Sequence, residues 1–141
     1  LNWSVAHNGV LSNSKLLAKK YNVYNPVDTA VIPVMIWNKF VELYDPDVWV
    51  WEREHRAIKL VCEELEGTFS CWIHNRDTNN TYLVRCGSTL FAGEREFSSA
   101  QADGMTPLDD GCVYRLHHQD DRMGWLENVE EFNTKSPFFI L

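Results

Sequence analysis

The chain lacks most features that would place it outside the ordinary globular proteins. None of its 141 residues belongs to an apolar run approaching the roughly 18–20 residues of a membrane span, and no basic-then-apolar leader opens it. Positive charge is in short supply: 13 Lys+Arg stand against 20 Asp+Glu, a net charge of −7. That balance argues against a surface tracking nucleic-acid phosphates and against a basic membrane patch. Cysteine is sparse and scattered. Cys62, Cys71, Cys86 and Cys112 form no CxxC pair and have no histidine in metal-ligand register, so neither a disulfide framework nor a structural zinc site is expected. Reduced, buried thiols in strands and a helix are the expectation. Internal repeats and low-complexity linkers are missing too. What is there, 45% hydrophobic and 13% aromatic residues, suffices for the core of one cytoplasmic domain.

An initiating methionine is also missing. The chain starts at Leu1, and Leu1 to Ala6 already reads as a strand. A domain that opens in mid-strand looks like part of a longer polypeptide, so an upstream segment of unknown length is expected. After the strand, His7-Asn8-Gly9 makes a turn, since Asn and Gly tolerate left-handed backbone. Asn13 or Ser14 can cap a helix over Lys15 to Tyr21. A second helix should start near Asp28-Thr29, with Val27, Ala30, Val31 and Val34 inward and Pro33 delaying its regular part. Tyr44 to Asp47 ends it. A third helix should run to about Glu66 with Ile58, Val61, Cys62 and Leu65 as its stripe and Gly67 as its stop.

Beyond Gly67 the pattern is β. Thr68 to His74 and Tyr82 to Cys86 read as a hairpin, followed by short strands at Leu90–Ala92, Phe97–Ala100 and Cys112–Leu116. From His117 the chain reads as an irregular tail, 117–141, with Trp125 and Phe132 pinned to the body and Phe138 to Leu141 as a final strand. The order of strand, helices and antiparallel strands is that of an α+β layered domain.

Three stretches carry candidate chemistry. Val5-Ala6-His7-Asn8-Gly9 can be an oxyanion site, with the Asn8 amide and the Gly9 N–H aimed at one spot, or a plain β-turn. For an oxyanion site, Gly9 is required because a Cβ would obstruct the substrate. Asp28 at a helix start is either a cap or a carboxylate available to a substrate ammonium. His117-His118 with Asp120 and Asp121 can be written as a metal set, but a solvated loop is the expectation, and no metal or other cofactor is assigned. The glycosylation sequons at Asn2 and Asn79 carry no weight without a secretory signal.

In combination, "VAHNGVLSN" followed by a helix and "VDTAV" resembles the class II glutamine amidotransferase family, and "LEGTFSCWIHNRDTNNTYLVRCGSTLFAG", "FSSAQ" and "LDDGCVYRL" extend the resemblance from Trp3 to about Leu116. The resemblance implies a four-layer αββα sandwich of the N-terminal nucleophile hydrolase type, incomplete at the N-terminus, with residues 1–116 as the major part of the domain. It implies that Asn8 and Gly9 form the oxyanion hole for L-glutamine and that Asp28 holds the α-ammonium. It further implies that glutamine is hydrolysed to glutamate and ammonia for an acceptor domain or subunit. Two departures stand out. The family's N-terminal cysteine nucleophile and its Arg-Trp loop have no counterpart here, so both are expected upstream of Leu1, and the chain alone should be inactive. Ala100 and Gln101 stand where the family often carries an acidic residue after serine. The alternative is a non-catalytic binding or assembly module of the same family.

Overall fold

The computed structural model describes residues 2–93, 96–119 and 122–133. Strand β1 (Trp3–Leu11) is followed by α1 (Ser14–Lys20), a 3-10 turn over Asp28–Ala30, α2 (Val31–Glu42) and α3 (Val50–Glu64). Then come β2 (Gly67–Asn75), β3 (Asn80–Cys86), β4 (Phe91–Ala92), β5 (Phe97–Ser98), β6 (Thr106–Pro107), β7 (Cys112–Gln119) and β8 (Arg122–Glu131). Five strands form one antiparallel sheet in the order β1-β2-β3-β7-β8, and three form a small second sheet in the order β5-β4-β6.

The alternation of the central strands sorts the layers. Phe69, Cys71, Ile73, Tyr82, Val84 and Val113 face the helices and pack against Val31, Ile32, Met35, Ile36, Ile58 and Val61. On the opposite face, Leu83, Cys112 and Tyr114 pack against Leu90, Ala92 and Leu108 of the second sheet and its flanks. The described residues thus make a helix layer, a large sheet and a small sheet, an α+β domain with antiparallel sheets. A second helical layer is not among them.

Local expectations fared unevenly, each for a physical reason. Pro33 does delay the regular helix: a 3-10 turn precedes α2. The inward stripe of α2 is Val31, Ile32, Met35 and Ile36, whereas Val27 is exposed, because the 3-10 turn rotates the first residues out of register. Asn13 occupies the N-cap position of α1 but makes no cap bond; its amide donates to Glu64 O (2.8 Å) and its oxygen accepts from Glu66 N–H (3.0 Å). The stripe expected for α3 is buried in full, yet α3 stops at Glu64 without a glycine cap, and Gly67 opens β2 instead.

The largest difference lies after Leu116. The irregular tail expected there is a hairpin: β7 continues to Gln119 and β8 pairs back along it, Leu116 opposite Leu126 and His117 opposite Trp125. Phe132 is buried and stacks on Phe69, as expected, whereas Trp125 is exposed and stacks on His117 rather than on the body. His117 accordingly has a partner of its own and a hydrogen bond to Glu127 (2.9 Å). Asp120, Asp121 and the strand expected over 138–141 lie outside the described residues.

Two carboxylates lock the helices to the sheet. Glu54 of α3 is fully buried and accepts from Asn75 Nδ2 (2.7 Å), Thr78 Oγ1 (2.7 Å), Asn80 Nδ2 (2.6 Å) and the Tyr82 hydroxyl (3.0 Å). It pins the β2–β3 turn to α3. Glu64 gathers Lys20 (2.6 Å), the Tyr21 hydroxyl (2.8 Å) and Lys39 (3.3 Å), clamping α1 and α2 to the end of α3. Burial works against ionisation of Glu64. Hydrogen bonds from Lys20 and Tyr21 and the charge of Lys39 outweigh it and hold the carboxyl below its usual range.

Replacing Glu54 with Ala orphans four donors and should cost about 3 kcal/mol or more in urea unfolding, with Glu54→Gln in between. A carboxyl with a lowered folded pKa stabilises fully above its unfolded value and stops doing so as pH falls through the lowered one. The wild-type urea midpoint should therefore drop on acidification below about 4.3, and Glu64→Gln should flatten that slope.

Candidate functional site

β1 is an edge strand, and its pairing decides what its residues present. Even-numbered residues turn their backbone toward β2: Asn2 O accepts from Arg76 N–H (2.8 Å), Val10 N–H reaches Thr68 Oγ1 (3.3 Å) and Ser12 N–H reaches Glu66 O (2.8 Å). By the same alternation the Gly9 N–H points to the free edge of the sheet. The expected turn at His7-Asn8-Gly9 is therefore strand throughout, in unbroken register from Trp3 opposite Asn75 to Leu11 opposite Gly67.

Gly9 is needed for a reason that lies in the sheet itself. Its φ is +137°, and a Cβ there would lie 2.1 Å from the Thr68 carbonyl oxygen. Gly67 mirrors it: its φ is +121° and its Cβ would lie 2.1 Å from Val10 O. The obstruction is the neighbouring backbone, so glycine at both positions permits the two strands to approach.

Side chains alternate in the other sense. Ala6 and Asn8 face the small sheet. With Ser70 and Trp72 from β2 and Leu90, Phe97, Ser98 and Ser99 from the opposite wall, they border a cleft of about 280 Å³. Ser70 spends its proton on Thr89 O (3.2 Å), and Ser98 Oγ accepts the Ala100 N–H (3.0 Å). The exposed Asn8 amide, by contrast, makes no side-chain hydrogen bond among the described residues. Among the described residues two donors, the Asn8 amide and the Gly9 N–H, are thus left open where the cleft meets the sheet edge.

Asp28 does not line this cleft. It sits half-buried in the 3-10 turn, whose N-cap position is Val27 and which has no side-chain cap bond, so its carboxylate is not spent as a cap. A short chain of contacts joins it to β1. Thr29 Oγ1 donates to Asp28 Oδ1 at 3.4 Å, and His7 Nδ1 lies 3.2 Å from the same Thr29 oxygen. With the Thr29 proton on Asp28, His7 Nδ1–H can donate to the Thr29 oxygen and complete the chain. The other ring nitrogen, Nε2, is buried and without a partner among the described residues. Asn8 and Asp28 are accordingly linked through His7 and Thr29, with no direct hydrogen bond among the described residues. Thr29 was invisible to sequence reasoning, and His7 was read only as ordering the turn; their meeting depends on how the 3-10 turn packs on β1.

The four cysteines are free and buried. Cys71 borders the cleft, but it is only 3% exposed and burial pushes its thiol up to about 12, far from the thiolate a nucleophile requires. A larger hollow of about 1070 Å³ between α3, β8 and the loop before β7 carries Glu63, Asp109, Asp110, Glu130 and Glu131 with Lys59 and contains none of the candidate residues. Among the described residues no group of side chains is arranged to hold a metal ion, and no helix is long and apolar enough to cross a membrane.

No family profile matches the chain. It is 25% identical over 129 residues to 7-cyano-7-deazaguanine synthase 2 of Sulfurisphaera tokodaii, a match that covers 80% of this chain but only 26% of that protein. Its fold is similar to that of glutamine phosphoribosylpyrophosphate amidotransferase from B. subtilis complexed with ADP and GMP. There the TM-score is 0.52 at 13% identity, over 86% of this chain and 29% of that one. It is also similar to an allosteric regulatory enzyme of purine biosynthesis, with a TM-score of 0.51 at 14% identity, over 95% of this chain and 30% of that one. The chain therefore shares its fold with an amidotransferase and spans under a third of each of these three proteins.

Gly9→Ala should destabilise the chain by about 2 kcal/mol or more, since it adds both a backbone clash and a disfavoured φ; urea unfolding and loss of amide protection along β1 would measure it.

Proposed function

We propose that the chain is the larger part of the glutaminase domain of a class II glutamine amidotransferase, with L-glutamine as its substrate and ammonia as the product passed to an acceptor domain or subunit. The observation that carries this reading is the pair of unspent donors, the Asn8 amide and the Gly9 N–H, at the mouth of a cleft between two sheets, in a fold shared with an amidotransferase. An amide carbonyl under attack develops negative charge on oxygen, and two preorganised donors lower its cost. Asp28 lies outside the cleft, across edge strand β1 from Asn8; not engaged as a cap, it would take the α-ammonium of a glutamine that reaches round that edge, and the His7–Thr29 contact would hold its turn against β1.

The nucleophile belongs elsewhere in this reading. A cysteine from a segment upstream of Leu1 would attack the side-chain amide, expel ammonia and leave a thioester that water hydrolyses to glutamate. That segment would also bring the loop that covers the glutamine, and the complete protein would have the four-layer αββα arrangement. The enzyme would be cytoplasmic and need no cofactor. Cys71, the cysteine that borders the cleft, is buried with its thiol pKa raised and is no nucleophile, so the chain's own residues also fit a second reading, a non-catalytic relative that binds without turnover.

Calorimetry with L-glutamine and with butyramide, which lacks the α-amine and carboxylate, tests the site. Glutamine should bind, and Asp28→Asn should weaken it by about tenfold or more while leaving butyramide unaffected. Equal effects on both ligands would remove Asp28 from the site. The chain alone should release no glutamate. Supplied with a cysteine-bearing upstream segment it should do so, with Asn8→Ala lowering kcat about a hundredfold. Binding without turnover under any such reconstitution would favour the second reading.

A further inference from the structure

A surface helix on a globular domain should turn one apolar stripe inward and a polar face outward. α2 does not. Its inward stripe is Val31, Ile32, Met35 and Ile36, all buried. A second apolar set lies on the outside: Trp37 and Val41 at i and i+4 in the helix and Tyr44 just past its end, 41%, 48% and 70% exposed. Trp49, 67% exposed, continues it across the corner into α3.

These rings are held as a set rather than scattered. Trp37 and Phe40 lie 6.3 Å apart. The Arg53 guanidinium sits 3.8 Å over the Phe40 ring and 5.2 Å from that of Tyr44, fixed by a 2.8 Å bond to Phe40 O. Trp49 stacks on Trp51 at 4.8 Å. Phe40 in turn meets Trp3 edge-on at 5.9 Å, which ties the patch to the core. Pre-ordered Trp and Tyr side chains are the residues that dominate binding energy at protein interfaces.

The charge around them has one sign to spare. Arg53 is occupied as described, Arg56 is near Glu52 (3.9 Å) and Lys39 is bound to Glu64 (3.3 Å). Glu42, Asp45 and Asp47, all exposed, have no ion-pair partner among the described residues. An apolar stripe bordered by free carboxylates complements a helix with an apolar face and lysine or arginine flanks, and the net charge of −7 disfavours a second copy of this chain.

We propose that the outer face of α2 and the α2–α3 corner form a docking surface for a basic amphipathic helix of a partner protein. This surface is separate from the cleft and stands whatever the cleft binds.

The probe is a synthetic 18-residue peptide of Leu, Trp, Lys and Arg patterned as an amphipathic helix, with a scrambled peptide of the same composition as control. Binding to the chain is followed by calorimetry at low and high salt. The patterned peptide should bind in the micromolar range. Trp37→Ala/Tyr44→Ala should weaken it by about tenfold or more, Asp45→Asn/Asp47→Asn should weaken it and reduce the salt dependence, and Trp125→Ala, on the far hairpin, should leave it unchanged. Circular dichroism melts verify that each variant folds. Equal binding of the scrambled peptide, or indifference to the Trp37 and Tyr44 changes in folded protein, overturns the proposal. So does concentration-dependent self-association in sedimentation that Trp37→Ala abolishes, since that assigns the face to a second copy.

Discussion

The cleft depends on a close approach of two backbones. Where β1 crosses the start of β2, Gly9 lies against the Thr68 carbonyl and Gly67 against Val10 O, and neither position has room for a Cβ. With that contact made, β1 stays in register along its whole length and its two faces are committed: Asn8 toward the small sheet, His7 toward the helices. The Gly9 N–H is left on the outer edge as a consequence of the same pairing. A strand a single residue out of register would exchange the roles of Asn8 and His7 and close the site.

The layers on either side support this strand without touching the chemistry. The buried Glu54 carboxylate, satisfied by four neutral donors, fixes the β2–β3 turn, and that turn holds β2 where β1 must meet it. Glu64 does the same for the helix layer, joining the ends of α1 and α2 to α3. The 3-10 turn at Asp28–Ala30 is then carried by α2 against the helix-facing side of β1, where Thr29 finds His7. Positioning in this protein is thus mostly polar and local, on top of an apolar core that supplies the bulk of the stability.

Features that depend on local periodicity were legible before the structure. The stripe of α3, the β2–β3 hairpin, the delaying effect of Pro33 and the burial of the cysteines all follow from residues close in sequence. Features that depend on what the chain meets later were not. Asn13 has the ideal chemistry for a cap but bonds the end of α3. Gly67 looks like a helix stop but is required by β1. The outward apolar residues of α2 were not legible, because Trp37 and Val41 stand among Asn38, Lys39 and Glu42 and only packing decides which apolar residues of the helix face inward.

The amino-acid sequence by itself determined the class of the domain and most helix and strand segments of its first two-thirds, the turn expected at His7-Asn8-Gly9 excepted, and it offered Asn8, Gly9 and Asp28 as candidates, because these rest on composition, period and motif. Only the tertiary structure decided that β7 and β8 extend the sheet past Leu116, that Gly9 answers to the backbone of β2, and that Asp28 reaches β1 through Thr29 and His7. Each of those is a contact between residues far apart in the chain. Such a contact is set by packing geometry, which no local pattern of side chains encodes.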